Sequence, residues 1–187
     1  MSPPPGPEYR EADISKVRTI PIVERPNKVD PTMLAHPPAG DRSFQAFWRA
    51  MPDVLASRDL RFVVDRIVDA AGKRAVVVML GGHVIKTGLG PLLIELLGRR
   101  VITHVAMNGS AAIHDFELAA FGGTSEDVAA GLGDGTFGMA EETGREMNAA
   151  LAAGARAGSG AGEAPSRALT ARPAVPGGDA SLLVGSA

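Results

Sequence analysis

Ala75-Val76-Val77-Val78-Met79-Leu80-Gly81-Gly82, read together with Val101-Ile102-Thr103-His104-Val105-Ala106-Met107-Asn108-Gly109, decides the fold class of this chain. Each run is short, apolar, rich in β-branched residues and closed by glycine. A continuous apolar run of this length reads as a strand buried on both faces, the pattern of a parallel sheet. Between the two runs, residues 89–97 read as a helix, with Pro91 in its first turn and Gly98 at its end. Residues 111–121 read as the helix after the second strand. Strand, helix, strand, helix at this spacing predicts βαβ units and an α/β class.

Outward from this centre the chain divides into three zones. Residues 1–40 are rich in proline and charge and read as an extended arm, because prolines at 21, 26, 31, 37 and 38 leave no room for a useful helix. Its one apolar stretch, residues 17–23, is a candidate edge strand. Residues 41–157 carry the α/β pattern. Asp41 or Ser43 is placed to cap a helix through Phe44, Phe47, Trp48, Met51 and Leu55. Ser57 or Asp59 is placed to cap another, with Leu60, Val63 and Ile67 on one face and Gly72 at its end. Thr124-Ser125-Glu126-Asp127 signals a further helix start, and residues 137–157 read as the last helix. Residues 158–187 are dominated by Gly, Ala, Ser and Pro and read as a low-complexity, disordered tail, with one candidate strand at 180–184. Two clear strands fall short of the five or six of a typical sheet. The expected fold is therefore an incomplete Rossmann-like parallel-sheet domain, belonging to a longer enzyme, or else a small α+β domain.

Composition narrows the function classes. The chain has 187 residues, 45% apolar and 21% charged, with a net charge of -2. No basic block favours nucleic acid, and no apolar run reaches the length of a membrane span. The first residues lack the apolar centre of a signal peptide, so a cytoplasmic location is expected. With no cysteine, disulfides and thiolate metal sites are excluded.

In doubly wound α/β proteins ligands bind beyond the carboxyl ends of the strands. Two loops meet that description. In the first, Gly81 and Gly82 permit close approach of a phosphate or ribose, with His83 and Lys86 beside them. Its glycines do not follow the G-x-G-x-x-G spacing, and a tight turn that needs them only for geometry is the plain alternative. In the second, Asn108, Gly109 and Ser110 offer small size and hydrogen bonds, and His114 and Asp115 are candidates for orienting a ligand or for acid-base work, with Lys86 of the first loop a third catalytic candidate. A literal G-x-G-x-x-G at residues 133–138 follows a helix rather than a strand, so it reads as a helix-to-helix connection. No metal site is assigned, because nothing stands at metal-ligand spacing. A metal-dependent hydrolase using His83, His114 and Asp115 remains an alternative.

Residues 78–118 resemble the nucleotide-binding segment of deoxyhypusine synthase. That family has a strand, then Leu-Gly-Tyr-Thr-Ser-Asn-Leu-Val-Ser-Ser-Gly-Leu, a helix, a second strand, and Thr-Thr-Ala-Gly-Gly-Val-Glu-Glu-Asp. The matching runs here are Gly81-Gly82-His83-Val84-Ile85-Lys86-Thr87-Gly88-Leu89 and Met107-Asn108-Gly109-Ser110-Ala111-Ala112-Ile113-His114-Asp115, at ungapped spacing. Val84-Ile85, Gly88-Leu89 and Asp115 keep the residue type. The resemblance implies a Rossmann-like domain that binds NAD, a homo-oligomer with sites between subunits, and transferase chemistry on an amine, with a small molecule or a protein lysine as substrate. Ile113 and His114 stand where the family's two polyamine-binding glutamates would be, and no lysine follows Lys86. The other expectation is a non-catalytic fragment or oligomerising interaction module whose exposed sheet edge seeks a partner chain.

Overall fold

The structure is a computed structural model that describes residues 11–38 and 40–185. The chain divides into two compact units, 1–61 and 62–187. The division falls within the second long helix, and each unit is described by itself.

The first unit contains three single 3₁₀ turns, Ile14–Lys16, Ile22–Glu24 and Pro31–Met33, in place of an edge strand at 17–23. Val17, Ile20, Ile22 and Val23 all face solvent, so this segment has neither the pairing nor the burial that a strand requires. Local side chains explain the first and third turns: Asp13 accepts from the Ser15 amide and Asp30 from the Thr32 amide, with Pro31 presetting the turn. Of the two caps the sequence offers, Ser43 is the one used for α1 (Phe44–Ala50), accepting from the Ala46 amide, and the helix stops before Met51 and Leu55, which the sequence placed in it. Helix α2 (Leu55–Ala70) starts earlier than Ser57 or Asp59 would place it. Arg61 links the two helices: its guanidinium lies 5.4 Å from the Trp48 ring centre and donates to the carbonyls of Trp48 and Met51.

The second unit holds the βαβ pattern. Strand β1 (Val77–Leu80) is followed by α3 (Gly82–Lys86) and α4 (Gly90–Gly98), then by β2 (His104–Met107). The strands pair in parallel, Val77 opposite His104 and Leu80 opposite Met107. Helix α5 (Gly109–Phe121) follows directly, capped at its start by the Asn108 side chain and closed by Gly122 at φ 76°. Then come α6 (Val128–Asp134), α7 (Glu141–Ala157), α8 (Glu163–Thr170) and α9 (Leu182–Gly185). The fold is mixed α/β around a two-stranded parallel sheet, and no helix among the described residues is long and apolar enough to cross a membrane.

One face of the sheet enters the core. Leu80 packs with Ile85, Ala111 and Leu182, joined by Val78, Leu93, Ile94, Leu97 and Val105. Beyond it, Phe116, Ala119 and Ala120 on α5 meet Met147, Leu169 and Leu183. The other face departs from the expectation of burial on both sides: Val77 is 53% and Met79 83% exposed. The continuous apolar run therefore signals more burial than the chain supplies, because the core packs on one side only.

The C-terminal zone is a larger departure. Residues 163–185 fold onto α5 and α7 instead of forming a disordered tail, and the candidate strand at 180–184 is the short helix α9. Small residues make this possible. A Cβ on Gly154 would clash with Ala164, one on Gly177 with the Leu118 carbonyl, and one on Gly90 would stand 2.5 Å from the Ala180 carbonyl. The glycines and alanines that resemble low complexity are here the contact surface of closely packed backbone.

Candidate functional site

The carboxyl ends of β1 and β2 lead into the two loops singled out by sequence, and the fold brings these loops together. Gly81 is the extended N-cap of α3, and a Cβ on it would meet the side-chain Nδ2 of Asn108 at 3.6 Å. Gly82 is buried; a Cβ there would clash with Ser110 Oγ and lie 2.7 Å from Cδ2 and 3.2 Å from Nε2 of His114. Glycine at 82 is therefore a packing requirement, because it lets α3 press on the first turns of α5. Asn108 accepts the Ala111 amide at 2.9 Å through its side-chain oxygen. Gly109 and Ser110 form the exposed first positions of α5, where helix amides lack intrahelical partners.

His114 is held from behind. Its Nδ1 lies 2.8 Å from Thr124 Oγ1, and that hydroxyl donates to Glu117 at 2.5 Å. The second Glu117 oxygen accepts from Thr143 at 2.9 Å. Since the single Thr124 proton goes to Glu117, its oxygen must accept from His114, so the imidazole carries its proton on Nδ1. Nε2 is then turned to Gly82 and Ser110 as an acceptor when the ring is neutral. Glu117, Thr124 and Thr143 also line an adjoining recess of about 310 Å³, with Phe121, Ser125 and Glu126.

Gly81, Gly82, Asn108, Ser110 and His114 thus share one place, with Gly109 at its edge. His83 and Lys86 lie exposed on α3 and make no polar contact with this group among the described residues. Asp115 requires a correction. Although next to His114, it points the other way and is fully buried. Its carboxylate accepts from Ser181 Oγ at 2.7 Å, the Leu182 amide at 2.9 Å and the Leu183 amide at 2.8 Å. Adjacent helix residues diverge by about 100°, so only one of the pair can face the strand ends. Asp115 is a cap for α9, and neither acid-base work nor metal binding is open to it. Among the described residues no group of three His, Asp or Glu side chains is placed to hold a metal, and His83, His114 and Asp115 do not converge, because Asp115 is turned into the core.

Sequence reasoning missed Glu117, Thr124 and Thr143. Glu117 stands three residues after His114 on the same helix face, which was a usable signal. Thr124 belongs to a stretch read as a helix start, and there Asp127 does the capping, accepting from the Ala129 and Ala130 amides. The stretch at 133–138 ends α6 and opens the connection to α7: Asp134 accepts from the Thr136 amide and hydroxyl, and Gly135 and Gly138 have φ of 82° and 76°. Comparisons with protein families, with curated proteins and with solved structures give no match to this chain.

Proposed function

We propose that this chain is a nucleotide-binding α/β protein of Rossmann-like, deoxyhypusine synthase-like type, with an NAD-type dinucleotide lying across the carboxyl ends of β1 and β2. The observation that carries the reading is the convergence of Gly81 and Gly82 with Asn108, Ser110 and His114 at the ends of two adjacent parallel strands. The carboxyl ends of parallel strands, flanked here by the start of a capped helix of 13 residues, are where this class of fold accepts phosphate and ribose. His114 would offer Nε2 to a ligand hydroxyl. The preference for NAD rests on the resemblance of residues 78–118. The amine-transfer half of that family's chemistry has no support among these residues, because Ile113 and His114 replace its glutamates and no lysine follows Lys86. Dinucleotide binding is accordingly the activity proposed for the chain, with transfer to an amine a further step beyond it.

A second reading is favoured by the exposed sheet face. Parallel strands are normally covered on both sides, and Val77 and Met79 are not. A second copy of the chain covering this face would make the protein a homo-oligomer, compatible with nucleotide binding at the strand ends.

The test is thermal unfolding followed by helix circular dichroism, with and without NAD. The single tryptophan, Trp48, belongs to the first unit and is a poor reporter of this site. NAD at a hundred times its dissociation constant should add about 2.7 kcal/mol of stability. An absent shift, or an equal shift with ATP, refutes the assignment.

A further inference from the structure

The opposite edge of the sheet carries a feature that the strand-end site does not use. Just before the strands begin, Lys73, Arg74 and Arg100 line a single open recess of about 530 Å³, together with Leu97, Ile102 and Thr103. Lys73 and Arg74 follow the end of α2, and Arg100 follows the end of α4. None of the three has an acidic partner within ion-pair distance among the described residues. The nearby acids are engaged elsewhere: Asp69 pairs with Arg66 at 2.8 Å and Glu95 with Arg99 at 2.6 Å. From residue 70 to 103 the chain has five Lys or Arg residues against one acidic residue, although its overall net charge is -2. Of these five, Lys86 lies on α3 at the other end of the strands and Arg99 is paired with Glu95, so Lys73, Arg74 and Arg100 are the cations gathered at this recess.

Arg100 adds an independent observation. Its φ is 57°, in the left-handed region. It occupies the position after a helix where glycine commonly ends the turn, and its amide donates to the Leu97 carbonyl. A left-handed backbone costs an arginine more than the helix dipole returns at an exposed terminus. Glycine would fit the backbone better, yet a guanidinium stands there and lines the recess. Strain held in this way at a charged surface marks a place where the side chain has work to do.

We propose that Lys73, Arg74 and Arg100 form a binding site for a small polyphosphate-bearing ligand, at the end of the sheet opposite to the proposed nucleotide site. Guanidinium groups bind phosphate oxygens in paired, charge-assisted hydrogen bonds, and the lysine supplies a further point charge. A recess of this size accommodates a di- or triphosphate group and part of whatever carries it.

The experiment is calorimetric titration of the full chain with sodium tripolyphosphate, at ionic strength held constant with chloride. Saturable binding is expected, weakened roughly tenfold in Arg74→Gln and in Arg100→Gly, and unchanged in Arg156→Gln, which removes a charge from α7. Arg100→Gly relieves the left-handed strain, so its melting temperature should hold or rise while binding falls. That separates a lost contact from a lost fold. Heat that disappears at matched ionic strength would overturn the proposal. So would equal weakening by Arg156→Gln, or weakening by Lys86→Gln, which would place the anion at the other edge. Tighter binding of a single-stranded oligonucleotide than of tripolyphosphate would overturn it in favour of a nucleic-acid backbone.

Discussion

Replacing Asp115 with alanine should loosen the C-terminal segment before anything else in the second unit. The carboxylate is fully buried and takes three donors: the Ser181 hydroxyl and the amides of Leu182 and Leu183. Its loss removes the acceptor that Asp115 supplies to two amides and a hydroxyl, and a buried donor that loses its acceptor costs about 1–3 kcal/mol. If both amides stay buried and find no substitute for the carboxylate, the cost is therefore about 2–6 kcal/mol. The chain has an escape, which is to release α9 into water. That exposes Leu182 and Leu183, now 1% and 4% accessible, at about 1.5–3 kcal/mol each. Both routes arrive near the same figure, so about 3–5 kcal/mol is the expected loss. Asp115→Asn keeps the shape and one acceptor oxygen, and should lose about half as much. Urea unfolding followed by circular dichroism measures the total. Amide hydrogen exchange at Leu182 and Leu183 tells which route is taken, because release of α9 removes their protection while Ala119 on α5 keeps its own. A stability change below about 0.5 kcal/mol with exchange at Leu182 and Leu183 unaltered would refute the capping role and return Asp115 to the candidates for the site.

Gly82→Ala should destabilise the second unit by about 1–3 kcal/mol, since its Cβ meets Ser110 and His114, and Ser110→Gly should restore part of that loss; equilibrium unfolding of both variants checks it. Val77→Ala should change stability by no more than about 0.5 kcal/mol, because the side chain is half exposed; a loss near 2 kcal/mol would mean that something covers this face in solution. Glu117→Gln should free Thr124 to turn its proton, so that the His114 ring loses its fixed Nδ1–H form; nitrogen chemical shifts of the ring should move toward a tautomer mixture, and unchanged shifts would contradict the hydrogen-bond chain. Hydrogen bonds from the Thr136 hydroxyl and amide hold the Asp134 carboxyl below its ordinary value of 3.8. With a lowered folded value, this turn is stabilised above pH 3.8 and loses that contribution as pH falls through the folded value; a carboxyl titration by NMR with a midpoint at or above 3.8 would contradict it.

The parts of the fold that could be read in advance share one property, which is that the partners lie close in sequence. β1 and β2 follow from runs of apolar β-branched residues, and the cap of α5 from Asn108 three residues before the amide it accepts. Ser43 before α1 is a case of the same kind. The convergence of the two loops was legible too, as a consequence of adjacent parallel strands. The grip on His114 was only half legible. Glu117 is one helical turn away, but Thr124 reaches back from beyond the end of the helix and Thr143 from α7.

By itself the sequence determined the mixed α/β class and the location of the strand-end residues, because strand and helix periods are local properties of the chain. Only the tertiary structure decided how Asp115 is used, since its partners lie 66 to 68 residues away and no local pattern records them. It also decided that residues 163–185 are packed. Gly, Ala and Ser have the same composition in a loose tail as in a close contact, and the difference is whether another backbone arrives within a few ångströms. The exposed face of β1 has the same origin: an apolar strand specifies that burial is favourable, and the number of layers that supply it is fixed by how the helices pack.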